Sequence, residues 1–135
     1  MKTALLTLTA IALSAFSAAA GEFPDISLED LKKKIDAEEV TVVDVNGTRA
    51  FKKGHIPTAV DYQANSEEFA KLLPKDKDAL IVAYCGGPRC SAYKKAAQAA
   101  ADLGYTNVKH FSAGRSGWEG AGEEFAKPEK SKKSE

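Results

Sequence analysis

The sequence predicts an α/β domain of three layers, with helices on both faces of a mainly parallel sheet. Two observations carry that expectation. Val40–Val45 and Ala79–Tyr84 are near-continuous apolar runs rich in branched side chains, too short for free-standing helices and suited to strands buried on both faces. Segments with helical spacing stand before, between and after these runs, so strands and helices alternate along the chain.

The first 20 residues stand apart from that pattern. Lys2 is their single charge, an apolar stretch runs from Ala4 to about Phe16, and Ser17-Ala18-Ala19-Ala20 offers small residues for cleavage before Gly21. This is the composition of an export signal, and the apolar stretch is short of the roughly 20 residues that span a bilayer. Export to a bacterial periplasm is the expectation, with a domain over 21–126 and a disordered lysine-rich tail over 127–135. The chain holds 19 basic and 19 acidic residues, and loss of Lys2 leaves a charge of −1. No basic excess points to nucleic acid and no second apolar run points to a membrane span, so a monomer in solution is expected.

Within the domain, Ser27 followed by Leu28-Glu29-Asp30 reads as an N-cap with acids in the first turn, and Leu28, Leu31 and Ile35 give that helix one apolar face to about Ala37. A strand closing on Asp44 and Val45 follows. Asn46-Gly47-Thr48 leads into a short turn with Arg49 and Phe51, then to Gly54-His55-Ile56-Pro57 and a brief strand from Ala59 to Tyr62. Ser66 is expected to cap a helix with Phe69, Leu72 and Leu73 on its face, stopped by Pro74. After the second buried run, a helix is expected from Ser91 to Leu103, with Ala92, Ala96, Ala99, Ala100 and Leu103 against the sheet and Gly104 ending it. Val108–Phe111 reads as a last strand, and Glu119–Phe125 as a final helical turn.

The stretch with chemistry in it is Tyr84-Cys85-Gly86-Gly87-Pro88-Arg89-Cys90-Ser91. A strand, a cysteine, a glycine loop and a helix start come in the order that sets a thiol over the carboxyl end of a parallel sheet, where ligands of such sheets bind. Gly86 and Gly87 free the backbone to turn its N–H groups inward, Pro88 stiffens the turn, and Arg89 adds a fixed cation that can grip an oxyanion. Those amides, Arg89 and the helix start at Ser91 are what lower a thiol's pKa and hold an anion. The other reading is a structural turn stapled by a Cys85–Cys90 disulfide, which an oxidising compartment permits. Asp44 sits at the end of the neighbouring strand as a candidate supporting group. His55, in a turn motif, is a second candidate whose role is more structural than acid–base. Trp118 reads as core or pocket wall, and the two histidines and two cysteines lack metal-ligand spacing.

From about Ser27 to Phe125 the chain resembles a single rhodanese-like domain. The matching features are Val43-Asp44-Val45, Gly54-His55-Ile56-Pro57 with Ala59, Val82-Ala83-Tyr84-Cys85, and Ala113-Gly114 with Trp118 four residues on. The resemblance implies a parallel five-stranded sheet and a Cys85 that accepts sulfane sulfur as a persulfide. The sulfur would come from an anionic donor such as thiosulfate and pass to a thiophilic acceptor, a thiol in the cell, with no cofactor. Phosphatase relatives carry an arginine six residues after the cysteine. Here that position is Ser91, so the shorter loop, Cys85 to Cys90, is similar to the sulfurtransferase type. Asn46 and Ala50 stand where an arginine and a glutamate are common, Thr58 replaces a glycine after His-Ile-Pro, and Ala113 replaces another. Cys90 is the largest departure: a second thiol in the loop would make the site redox-gated. It also keeps two other functions open, a binding or carrier module with a permanent staple and a thiol–disulfide protein. The second is weakened because five positions, not three, separate the cysteines.

Overall fold

The computed structural model describes residues 23–128. Helix α1 (Leu28–Asp36) precedes strand β1 (Thr41–Asp44), and α2 (Thr48–Lys53) leads to the two-residue β2 (Val60–Asp61). Short helices α3 (Tyr62–Asn65) and α4 (Phe69–Leu72) flank a 3₁₀ turn at Ser66–Glu68. Then come β3 (Ile81–Tyr84), α5 (Tyr93–Asp102), β4 (Val108–His110) and α6 (Gly114–Gly120). The strands lie in the order β2-β1-β3-β4, every pairing parallel, with Asp44 of β1 level with Tyr84 of β3.

Pleating divides the core in two. Val43, Ile81 and Ala83 point to the side covered by α4 and α5, with Phe69, Tyr93, Ala96, Ala97 and Ala100. Val42, Val82 and Tyr84 point to the other, with Leu31 of α1, Ile56, Phe111 and Trp118. This is the three-layer α/β arrangement expected, with Trp118 in the core and α1 capped as expected, the Ser27 hydroxyl accepting the Asp30 amide at 3.1 Å.

Four strands form the sheet among the described residues, where five were expected. The missing edge is reduced to one parallel bridge between Asp25 and His110, with the His110 amide donating to Pro24 O and the Ile26 amide to His110 O. Pro24 has no N–H to extend the ladder, and the Asp25 carboxylate is taken up by the amide and hydroxyl of Ser112, both at 2.8 Å.

Other boundaries also differ. The helix expected from a Ser66 cap begins five residues earlier, because the Asp61 carboxylate accepts the amides of Gln63 and Ala64, and it breaks at Ser66–Glu68, leaving Leu72 exposed. Helix α5 starts at Tyr93 instead of Ser91, which turns Tyr93, Ala96, Ala97 and Ala100 inward and leaves Leu103 exposed. Gly104 ends it at φ +93° as expected. The last helix covers Gly114–Gly120, not Glu119–Phe125. Gly122 turns the chain at φ +78°, and an extended segment follows in which Ala126 exchanges backbone hydrogen bonds with His55. Thr58 stands at φ +72°, a conformation that disfavours a β-branched residue and explains why glycine is common there in the family it resembles. The export signal and most of the lysine tail lie outside the described residues.

Candidate active site

Cys85 follows the last residue of β3, and the alternation of the strand places it with Ile81 and Ala83 on the α5 side of the sheet. It is buried, and its sulfur is joined to that of Cys90 across a Cα–Cα distance of 6.2 Å. The two cysteines are paired, and the loop between them is a closed ring.

The ring is held by its carbonyls. The Arg115 amide donates to Cys85 O at 2.8 Å, the Ser116 amide to Gly86 O at 2.9 Å, and the Cys90 amide closes a turn onto Gly87 O at 3.0 Å. The start of α6 thereby draws the loop's oxygens toward itself. No acceptor is found among the described residues for the amides of Gly86, Gly87 and Arg89. Gly114 makes the contact with α6 close enough. It sits at φ +59°, and a Cβ there would stand 2.6 Å from Cys85 O and 2.7 Å from Gly87 N. Pro88 and Arg89 are exposed, and Arg89 pairs with no carboxylate among the described residues. Ser91 is exposed and lies outside α5, where its carbonyl accepts the Lys94 amide, so it is not the helix start expected to face an anion.

Asp44 is not beside the sulfur. It shares the opposite face of the sheet with Tyr84, whose hydroxyl donates to its Oδ2 at 2.5 Å, while the amide and side-chain Nδ2 of Asn46 donate to Oδ1 at 2.7 and 2.9 Å. The Tyr84 oxygen in turn accepts the Ile56 amide at 3.0 Å. Asp44 therefore ties together the ends of β1 and β3 and the Ile56 turn, and reaches the loop only through Asn46, which lies beside Gly86. His55 is buried on the same side, stacked on Phe51 at 3.7 Å with Nδ1 against Phe51 O. Its contacts are with Phe51 and, through the backbone, with Ala126.

Burial, and then the Asp44 carboxylate, push the Tyr84 phenol well above its ordinary value of 10.0. A phenol whose folded-state pKa is raised adds stability that is complete below the unfolded value and is lost as pH rises past it, because the unfolded chain alone then ionises. Tyr84→Phe is expected to lower stability by about 1–3 kcal/mol at neutral pH, since both Asp44 and Ile56 N lose a buried partner. In urea unfolding the gap between the two proteins should narrow above about pH 10; a gap that does not change with pH would place the phenol outside this network.

His110 closes β4 and stacks on Tyr93 at 3.3 Å, at the helix that leaves the loop. Its Nε2 has no hydrogen-bond partner among the described residues, and burial pushes its pKa down. A groove of about 450 Å³, lined in part by Asp25, Lys33, Lys34 and Lys109, opens beside Leu80 at the other end of β3, and no cysteine lines it.

The domain that carries this loop, at the end of the interior strand β3 and against the start of α6, matches a known family. The rhodanese-like domain model matches residues 27–121. The chain belongs to the rhodanese-like family. The domain is 36% identical over 98 residues to the HTH-type transcriptional regulator Rv0324 of Mycobacterium tuberculosis, covering 72% of this chain and 42% of that protein, so less than half of the relative's length is shared. Among solved structures, the BH2092 protein of Bacillus halodurans is 32% identical, with a TM-score of 0.66 and 77% of each chain covered. A thiosulfate sulfurtransferase of Pseudomonas aeruginosa shares the fold at 20% identity and a TM-score of 0.65, over 78% of this chain and 20% of that one.

Sequence reasoning singled out Cys85, Gly86, Gly87, Pro88, Arg89 and Cys90, and these are adjacent in the ring. Four residues that shape the site had no assigned part: Tyr84, Gly114, Arg115 and Ser116. The signal for Gly114 was available in the Ala113-Gly114 pair ahead of Trp118.

Proposed function

We propose that this domain is a sulfurtransferase that moves sulfane sulfur from a donor such as thiosulfate to a thiophilic acceptor through a persulfide on Cys85. The observation that carries the reading is the position of Cys85, at the carboxyl end of the central strand and at the head of a six-residue loop, in a chain of this family. With the disulfide reduced, the Cys85 thiolate attacks the outer sulfur of thiosulfate, the sulfur–sulfur bond of the donor breaks, and sulfite leaves with the electron pair. The loop amides stabilise the anions on either side of that step, and Arg89 holds the donor's sulfonate. An acceptor then takes the outer sulfur and returns the thiolate. Asp44 and His55 serve the scaffold. The same reading places the mature domain in an oxidising compartment after export, which the Cys85–Cys90 bond supports.

Reduced Cys90→Ser protein treated with thiosulfate is expected to gain about 32 Da on the peptide carrying Cys85, the mass of one sulfur atom. An unchanged mass would sink the assignment. Arg89→Ala should act mainly on the donor, raising its KM about tenfold, the loss of roughly 1.4 kcal/mol that one charged contact supplies. A donor KM that does not move would exclude Arg89 from anion binding.

The observed disulfide favours a second reading, a carrier or binding module in which the ring is permanent. Thiol titration of the exported protein with and without reductant separates them: a ring that no dithiol opens supports the module.

A further inference from the structure

Cys90 brings to the loop a reactive thiol that the proposed transfer does not use. It is half-buried, and its Cα lies 6.2 Å from that of Cys85, inside the span of about 4.4–6.8 Å that two bonded cysteines need. The same ring that pins Cys85 O and Gly86 O to α6 and Cys90 N to Gly87 O sets the two sulfurs within bonding reach of each other. The chain has no third cysteine.

A persulfide formed on Cys85 is then born beside a thiol. We infer that Cys90 is a resolving cysteine, so that the domain releases its sulfur as hydrosulfide and closes the disulfide in the same step. The Cys90 thiolate attacks the inner sulfur, Cys85 Sγ, the atom it is bonded to in the closed ring. The Cys85–Cys90 bond forms, the bond from Cys85 Sγ to the outer sulfur breaks, and hydrosulfide leaves with the electron pair. The outer sulfur is reduced by two electrons and the two cysteines are oxidised by two, so no outside oxidant enters. Hydrosulfide is the conjugate base of a stronger acid than an alkyl thiol and is therefore the better leaving group. An external acceptor has to arrive by diffusion, whereas Cys90 is held within bonding reach of Cys85, an advantage of many orders of magnitude in effective concentration. The closed ring is the product of this step, and reopening it takes two electrons from an external dithiol, which leaves as a disulfide. The partner implied is a dithiol reductant, and the output is sulfide in place of a persulfidated acceptor.

This step rests on the sulfurtransferase reading for its donor. The experiment keeps the two apart by measuring two products. Reduced, desalted protein is mixed with one equivalent of thiosulfate and no acceptor, and sulfite, sulfide, free thiols and intact mass are followed. The expected result is one equivalent each of sulfite and sulfide per chain, loss of both thiols and no lasting sulfur adduct. Cys90→Ser should release sulfite and keep a sulfur adduct of about 32 Da on Cys85, with sulfide at least tenfold lower. Sulfite with a stable adduct and a free Cys90 thiol in the unsubstituted protein would overturn the resolving role and leave the transferase reading standing. Absence of sulfite from both proteins would overturn thiosulfate as donor. Inorganic polysulfide then loads Cys85 directly, and the same comparison of sulfide and adduct decides the resolving step.

Discussion

Cys85→Ser is expected to abolish thiosulfate-to-cyanide transfer, with thiocyanate formation lowered about a thousandfold or more, the scale seen when a covalent nucleophile is removed. A serine hydroxyl is scarcely ionised near neutral pH and forms no persulfide, so the first bond of the mechanism has nothing to replace it. The substitution also removes the Cys85–Cys90 bond, and a loss of activity through instability has to be told apart from a loss of chemistry. Opening a ring of this length costs about 2 kcal/mol in the loop-closure estimate. Cys90→Ser loses the same bond, so the two variants share that cost. Cys85→Ser also puts a hydroxyl into the apolar cluster of Val43, Ile81, Ala83 and Tyr93, and Cys85→Ala avoids this. The discriminating result is a sulfur adduct that forms on Cys85 in Cys90→Ser and forms on neither residue in the Cys85 variants. Substantial transfer by a folded Cys85→Ala protein would end the sulfurtransferase proposal.

What could be read in advance was what depends on neighbours in sequence. Two apolar runs specify buried parallel strands because a strand covered on both faces tolerates no polar alternation, and β1 and β3 lie within them. The loop residues are contiguous, so their adjacency in space needed no long-range contact. Asp44 shows the limit. Asp44 and Cys85 both stand at carboxyl ends of strands, which makes Asp44 a candidate supporting group, but the pleat sends Asp44 to one face and Cys85 to the other. Knowing that needs the register of β1 against β3, not either sequence alone. The Ser66 helix failed in a different way. Two capping residues, Asp61 and Ser66, compete there, and the stronger grip of the Asp61 carboxylate on the Gln63 and Ala64 amides starts the helix early. The fifth strand, implied only by family resemblance, gave way to a local fact, the proline at position 24.

Gly114→Ala is expected to damage the ring without touching a reacting atom. Two costs combine at this position. An alanine at φ +59° is strained by about 1–3 kcal/mol. Its methyl would then press on Cys85 O, Gly87 N and Gly86 C, all backbone atoms that cannot rotate away. Relief requires the loop to lift from α6, which breaks the hydrogen bonds from the Arg115 and Ser116 amides, worth about 1 kcal/mol each. A total of about 3–5 kcal/mol and a transfer rate about a hundredfold lower follow, since a shift of about 1 Å in a catalytic group has that effect. Gly104→Ala supplies the comparison. Gly104 also has a positive φ, +93°, but nothing stands within 4 Å of the added methyl, and the position lies beyond α5. It should lose about 1–2 kcal/mol from strain alone and keep its transfer rate. Thermal melts and thiocyanate assays on the two variants separate backbone strain, which both share, from displacement of the ring, which belongs to Gly114. Equal effects on stability and rate would mean that α6 does not position Cys85.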